Sequence, residues 1–92
     1  MAETRRLLVT GTVQGVGFRA WTEATAGALG LDGWVRNRHD GSVEIVAKGQ
    51  VAALEALAAR CQEGPRFARV MAVDVAPADD PVAPGFAQRP TA

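Results

Sequence analysis

The segment Val13-Gln14-Gly15-Val16-Gly17-Phe18-Arg19 brings together the parts of an anion site. Gly15 and Gly17 allow backbone conformations closed to other residues, so successive amide N–H groups can turn inward as a concave nest. The helix that the pattern starts at Phe18 adds the free N–H groups and partial positive charge of its first turn. Arg19 falls in that turn, where a cation costs roughly 0.3 to 1 kcal/mol unless an anion arrives. Such an arginine can pair with a surface carboxylate, or its planar fork can bind a phosphate through two hydrogen bonds. The Gly-x-Gly before it favours the phosphate.

Several phosphate motifs are close to this one. A P-loop needs Gly-x4-Gly-Lys-Ser/Thr, and no lysine lies between the strand and the helix. Gly15 to Ala20 matches the loose dinucleotide pattern G-x-G-x-x-G/A, but the next strand turns back through a hairpin and 92 residues cannot supply two mononucleotide halves. The spacing is also that of the Cys-x5-Arg cradle of thiol phosphatases, with Val13 where the nucleophile would stand. Paired carboxylates at Asp-x-Asp spacing and a histidine cluster are both missing from the sequence, and the single His39 reads as a solvated turn residue. What is left can act by charge and position on a phosphoryl transition state. That suffices most easily when the leaving group is already good, as in an acyl phosphate. Asn37 is the candidate for placing the water: asparagine is disfavoured in strands, and its amide both donates and accepts without adding a charge that would repel a dianion. Its other reading is a residue that starts the turn by a local hydrogen bond.

The elements that must position these groups follow from periodicity and turn signals. Residues 5–12 read as a strand. Residues 18–29 read as a helix with Phe18, Trp21, Thr25, Ala28 and Leu29 on its inner face. Strands at 34–38 and 43–48 flank His39-Asp40-Gly41-Ser42, where Asp-Gly signals a hairpin. A second helix at 51–62 presents Val51, Leu54, Leu57, Ala58 and Cys61, and Gly64-Pro65 ends it. A strand at 68–76 places Met71, Val73 and Val75 on one face. Residues 77–85 read as a loop, and 86–89 as a short edge strand whose formation the pattern leaves open. The order predicts an α+β, ferredoxin-like split βαβ fold (βαββαβ): a two-layer sandwich of an antiparallel sheet with both helices on one face, residues 1–92 forming one domain.

Composition narrows the partners. Ten Lys plus Arg balance ten Asp plus Glu, which removes the broad basic footprint of a nucleic-acid binder. No stretch approaches the ~20 apolar residues of a membrane span. Cys61, the sole cysteine, forms no intramolecular disulfide and no Cys-based metal cluster. The expectation is a cytoplasmic monomer with no nucleic-acid or membrane partner, and with Trp21, Trp34 and Cys61 serving packing.

Taken together, Gly11-Thr12-Val13-Gln14-Gly15-Val16-Gly17-Phe18-Arg19 and Gly33-Trp34-Val35-Arg36-Asn37 resemble the two signatures of the acylphosphatase family. The family's element order is similar to the one above over residues 5–76. The resemblance implies hydrolysis of a small-molecule acyl phosphate to a carboxylate and inorganic phosphate, with no metal and no cofactor. It gives Arg19 the role of binding the phosphoryl group together with the loop amides of Gln14, Gly15, Val16, Gly17 and Phe18. Asn37 would orient the attacking water, whose proton passes to the substrate's own phosphate. Ser42 matches a position where the family often carries a hydroxyl residue, and is a secondary candidate. The chain departs from the family at Phe86-Ala87-Gln88-Arg89, where the usual closing strand reads Phe-x-Ile/Val and a basic residue. Gln88 would share the face of Phe86, so it needs a partner or the strand frays. Two other functions compete: a ferredoxin-like module that only captures an anion, and an acylphosphatase-like domain at the head of a larger carbamoyl-transfer protein, against which the independent length argues.

Overall fold

Alternate residues of the three central strands point to the helix layer, and the residues between them to the other face of the sheet. The computed structural model describes residues 2–92. β1 (Ala2–Thr12), β2 (Asp32–Asn37), β3 (Val43–Gln50) and β4 (Arg69–Pro77) pair antiparallel, and β5 (Phe86–Gln88) joins β2 in parallel. The sheet order is β4-β1-β3-β2-β5. Leu7 and Val9, Val35, and Val43, Ile45 and Ala47 bury against helices α1 (Phe18–Ala28) and α2 (Val51–Cys61). α1 packs over β2 and β5, and α2 over β3, β1 and β4. The α+β ferredoxin-like arrangement is therefore as expected, with one parallel pair added at the edge.

Several faces differ from the periodic reading. In α1 the buried residues are Phe18, Thr22 and Ala26, one turn apart, while Ala28 is exposed. Thr22 is tolerated there because its hydroxyl donates to the Phe18 carbonyl at 2.8 Å. In β4, Met71 is 84% exposed and Val75 46%, whereas Val70 and Val73 pack against the core. A register shift in the β1–β4 pairing between Thr10 and Gly11 leaves Met71 without a partner residue on β1 and breaks the period of two there, whereas Val75, opposite Leu7, keeps the Val73 face and is exposed on the edge strand. Cys61 is fully buried, and burial pushes its thiol up to about 12, so it remains a protonated packing group.

The opposite face of the sheet is built on charge. Trp34 is buried there, beside Val46 across the β2–β3 ladder, with the guanidinium carbons of Arg36 and Arg89 at 4.7 and 4.5 Å from its ring. Both contacts fit cation–π geometry. The packing role expected of Trp34 is met on this face, away from the main core. Glu44, also buried, accepts from Arg6 Nε at 2.8 Å, Arg36 Nε at 2.8 Å and Arg38 at 3.0 Å. Arg6 in addition donates to both Asp80 oxygens at 2.8 and 2.7 Å, which fastens the β4–β5 connection to the sheet. Beyond it the Gly85 amide donates to Asp32 Oδ1 and the Gly33 amide to the Gly85 carbonyl, which delivers the chain to the edge of β2.

Burial works against the Glu44 charge, but the three guanidinium hydrogen bonds outweigh it and hold the carboxyl below its ordinary value. A carboxylate depressed in this way stabilises the fold fully above its unfolded value, near about 4.3, and loses that contribution as pH falls through the lower folded value. Glu44→Gln is therefore expected to lower stability by roughly 2 kcal/mol at neutral pH, because the amide removes the charge that three partly solvated arginines share and replaces one of its two accepting oxygens with a donor. Urea unfolding should show that difference shrinking below pH 4, as the wild-type carboxyl protonates.

Candidate active site

The loop between β1 and α1 is held in shape from two directions. Gly15 and Gly17 have φ of +74° and +81°, the left-handed region that side-chain-bearing residues avoid. A Cβ at either position would meet nothing within 4 Å, so the requirement is one of backbone angle, not space. On the core side Val13 and Phe18 are buried, and Val16 packs against the same cluster. Phe18 meets Trp21 edge to face at 5.2 Å between ring centroids. On the other side the Gln14 side chain donates from Nε2 to the carbonyls of Arg38 and Ser42, at 2.7 and 2.8 Å. Gln14 thus ties the loop to the β2–β3 turn that follows Asn37.

Gly17 is the N-cap of α1 and has no side chain to offer its first turn. The first intrahelical bond from the backbone runs from the Trp21 amide to the Gly17 carbonyl, at 3.0 Å. The amides of Phe18, Arg19 and Ala20 precede it and have no intrahelical acceptor. These three residues, with Val13, Gly15 and Gly17, line a cavity of about 180 Å³. Asn37 and Gln88 complete its wall. The first turn of α1 contains no acidic residue, so its partial positive charge is not offset from within the helix.

Arg19 and Asn37 therefore open into one shared space. Among the described residues neither makes a side-chain hydrogen bond or ion pair. By contrast, the larger depression of about 470 Å³ between the start of β1 and the end of β4 has its Arg5 already bound to Glu3, at 2.9 and 3.2 Å. The Arg19 cavity is the one with an unspent guanidinium beside uncapped amides. Chemically it can accept an anion with several oxygens and place a neutral amide beside it.

The remaining sequence candidates sort differently. Gln14 and Val16 do not line the cavity, and the side chain of Gln14 serves as the clamp just described. Ser42 lies in a separate small depression with Thr10, Gly11, Asp40 and Gly41. Its hydroxyl and its amide both donate to Asp40 Oδ1, at 2.6 and 2.9 Å, and these bonds, the hydroxyl's first, lower the Asp40 carboxyl below its ordinary value. His39 is an exposed turn residue whose amide donates to the Ala92 carbonyl. No group of three His, Cys, Asp or Glu side chains is arranged to hold a metal among the described residues. Gln88 is the residue the sequence did not place in the site. Its signal was the polar side chain on the Phe86 face, and its partner is Glu23, whose Oε1 accepts from Gln88 Nε2 at 2.9 Å.

Comparison with known proteins fixes the lineage. The acylphosphatase family model matches residues 5–87. The chain belongs to the acylphosphatase family. A relative from Rhizorhabdus wittichii named acylphosphatase is 55% identical over 87 residues, spanning 95% of this chain and 88% of its own length. Solved structures agree with the fold. An acylphosphatase from Coxiella burnetii superposes with a TM-score of 0.91 at 34% identity, over 96% of this chain and 93% of that one. The acylphosphatase from Bacillus subtilis gives 0.88 at 36% identity, over 97% and 99%. The chain is thus an acylphosphatase-type enzyme, and the hydrolysis of acyl phosphates is its activity. No helix among the described residues is long and apolar enough to cross a membrane.

The Gln14 clamp has a measurable role in this geometry. Gln14→Ala is expected to lower stability by about 1 kcal/mol, the net contribution of hydrogen bonds of this kind. Amide exchange in residues 38–42 should accelerate more than exchange in α2, since only the turn loses its tie.

Proposed function

We propose that the Arg19 guanidinium and the loop amides that reach the cavity, those of Gly15, Gly17 and Phe18, bind the phosphoryl group of an acyl phosphate, and that Asn37 orients the water that attacks it. The observation that carries this reading is the joint opening of Arg19 and Asn37 into one cavity, neither engaged by another side chain. A dianionic phosphoryl group would complete the empty cap of α1, and the guanidinium fork would take two of its oxygens. Negative charge that spreads over the equatorial oxygens in the transition state meets these donors without reorganisation.

In this scheme the water oxygen forms a bond to phosphorus while the bond from phosphorus to the acyl oxygen breaks. The electron pair of that bond leaves on the carboxylate. The water proton passes to a phosphoryl oxygen, so the reaction calls for no protein base. Asn37 holds the water by accepting a hydrogen bond from it at Oδ1, or by donating one from Nδ2 to its oxygen. The cavity volume leaves room for the phosphoryl group and one water, whose share of liquid is about 30 Å³. The reading takes residues 1–92 as one catalytic domain that acts as a cytoplasmic monomer, with Ser42 left to the turn.

The direct experiment is turnover of benzoyl phosphate by purified protein in EDTA, with inorganic phosphate as competitive inhibitor. A protein that binds phosphate but gives no turnover would instead be an anion-capturing module. Arg19→Ala is expected to weaken phosphate and to cost at least ~100-fold in turnover, the scale for loss of one transition-state donor. Arg19→Lys should recover little, because a point charge lacks the fork. Asn37→Ala should leave folding and phosphate affinity close to wild type while kcat collapses. Near-full activity in that variant would remove the water-positioning role.

A further inference from the structure

Arg19 and Glu23 stand four residues apart on α1, the spacing at which opposite charges on a helix meet. They form no ion pair in the structure. The Glu23 carboxylate instead accepts a hydrogen bond from Gln88 Nε2, at 2.9 Å, across the seam between α1 and β5. Gln88 itself lines the cavity that holds Arg19 and Asn37, whereas Glu23 does not. Its backbone is fixed beside Val35 in the parallel β2–β5 pairing, so the amide approaches Glu23 from a rigid edge.

We propose that Gln88 is a positioning residue that keeps Glu23 away from Arg19, so that the guanidinium meets the phosphoryl group unneutralised. This rests on the assignment of Arg19 to phosphate binding. A carboxylate on Arg19 would compete with the dianion for the same N–H groups. It would also place a negative charge at the mouth of the cavity. A neutral amide is suited to the task, since it binds the carboxylate without adding a second cation that would hold the product. An aliphatic side chain at position 88 would leave Glu23 free to swing one turn back. The polar residue on the Phe86 face thus has a use that strand closure alone does not require.

The test is a two-residue cycle with Gln88→Leu, Glu23→Gln and the double variant, read by KM for benzoyl phosphate, Ki for inorganic phosphate, kcat and urea stability. Gln88→Leu is expected to raise KM and Ki together by about two- to five-fold, the range set by an exposed helical ion pair. The loss should fall on KM and Ki more than on kcat, because saturating substrate displaces the competing carboxylate. Adding Glu23→Gln should restore both constants even if the stability lost with the hydrogen bond does not return. An unchanged Ki in Gln88→Leu would overturn the proposal, and so would an equal rise in the Glu23→Gln background, which would mean direct contact between Gln88 and the ligand. If wild-type protein shows no competitive inhibition by phosphate, the assignment of Arg19 itself fails. Normal wild-type inhibition with a silent cycle removes only the role of Gln88.

Discussion

A guanidinium without a carboxylate, set at a helix start without a cap, is the constraint around which this molecule is arranged. Arg19 carries a full charge in the turn where the backbone already presents partial positive charge, and Gly17 supplies no side-chain acceptor. Left to itself such a turn is unfavourable, and a surface acid would ordinarily quench it. Here Glu23, one turn along the helix, is engaged by Gln88, while Glu44 and Asp40 are tied to partners of their own away from the cavity. The local cost is carried by the buried packing of Val13 and Phe18 beneath the turn.

The two faces of the sheet divide the labour. The helix side supplies the apolar packing that holds the loop and α1 in place. The other side is a charged lattice in which Glu44 gathers Arg6, Arg36 and Arg38, and Trp34 lies under Arg36 and Arg89. This lattice also routes the chain: through Arg6 and Asp80 it carries the connection from one edge of the sheet to the other, where β5 brings Gln88 to the cavity. A network on the other face of the sheet thereby sets one wall of the Arg19 cavity.

Much of this was legible in the sequence, because the strongest signals are local. The glycine loop, the Asp-Gly hairpin and the helix that opens at Phe18 were readable from residue type and spacing, and Arg19 and Asn37 followed from chemistry at the ends of those elements. Other features depend on pairing that no local window contains. Alternation alone puts Met71 on the Val73 face, yet the shift at Thr10/Gly11 on the neighbouring strand turns it outward. β1 begins at Ala2 rather than residue 5, because its polar start is paired with Lys48, Gly49 and Gln50. The loop motif points to the Gln14 backbone amide, whereas the side chain reaches across to Arg38 and Ser42. The strand at 86–88 forms without an aliphatic residue at position 88 because its backbone pairs with β2 and Gln88 is exposed, its amide donating to Glu23.

The cavity walls come from the β1–α1 loop, the end of β2 and the closing strand β5, which meet only after the sheet has its final strand order. A half-assembled chain has no such pocket. Any anion that fits therefore has affinity for the finished fold alone, and by mass action it withdraws molecules from the unfolded pool in proportion to its concentration. Resistance to unfolding would thus be greatest wherever such anions are plentiful.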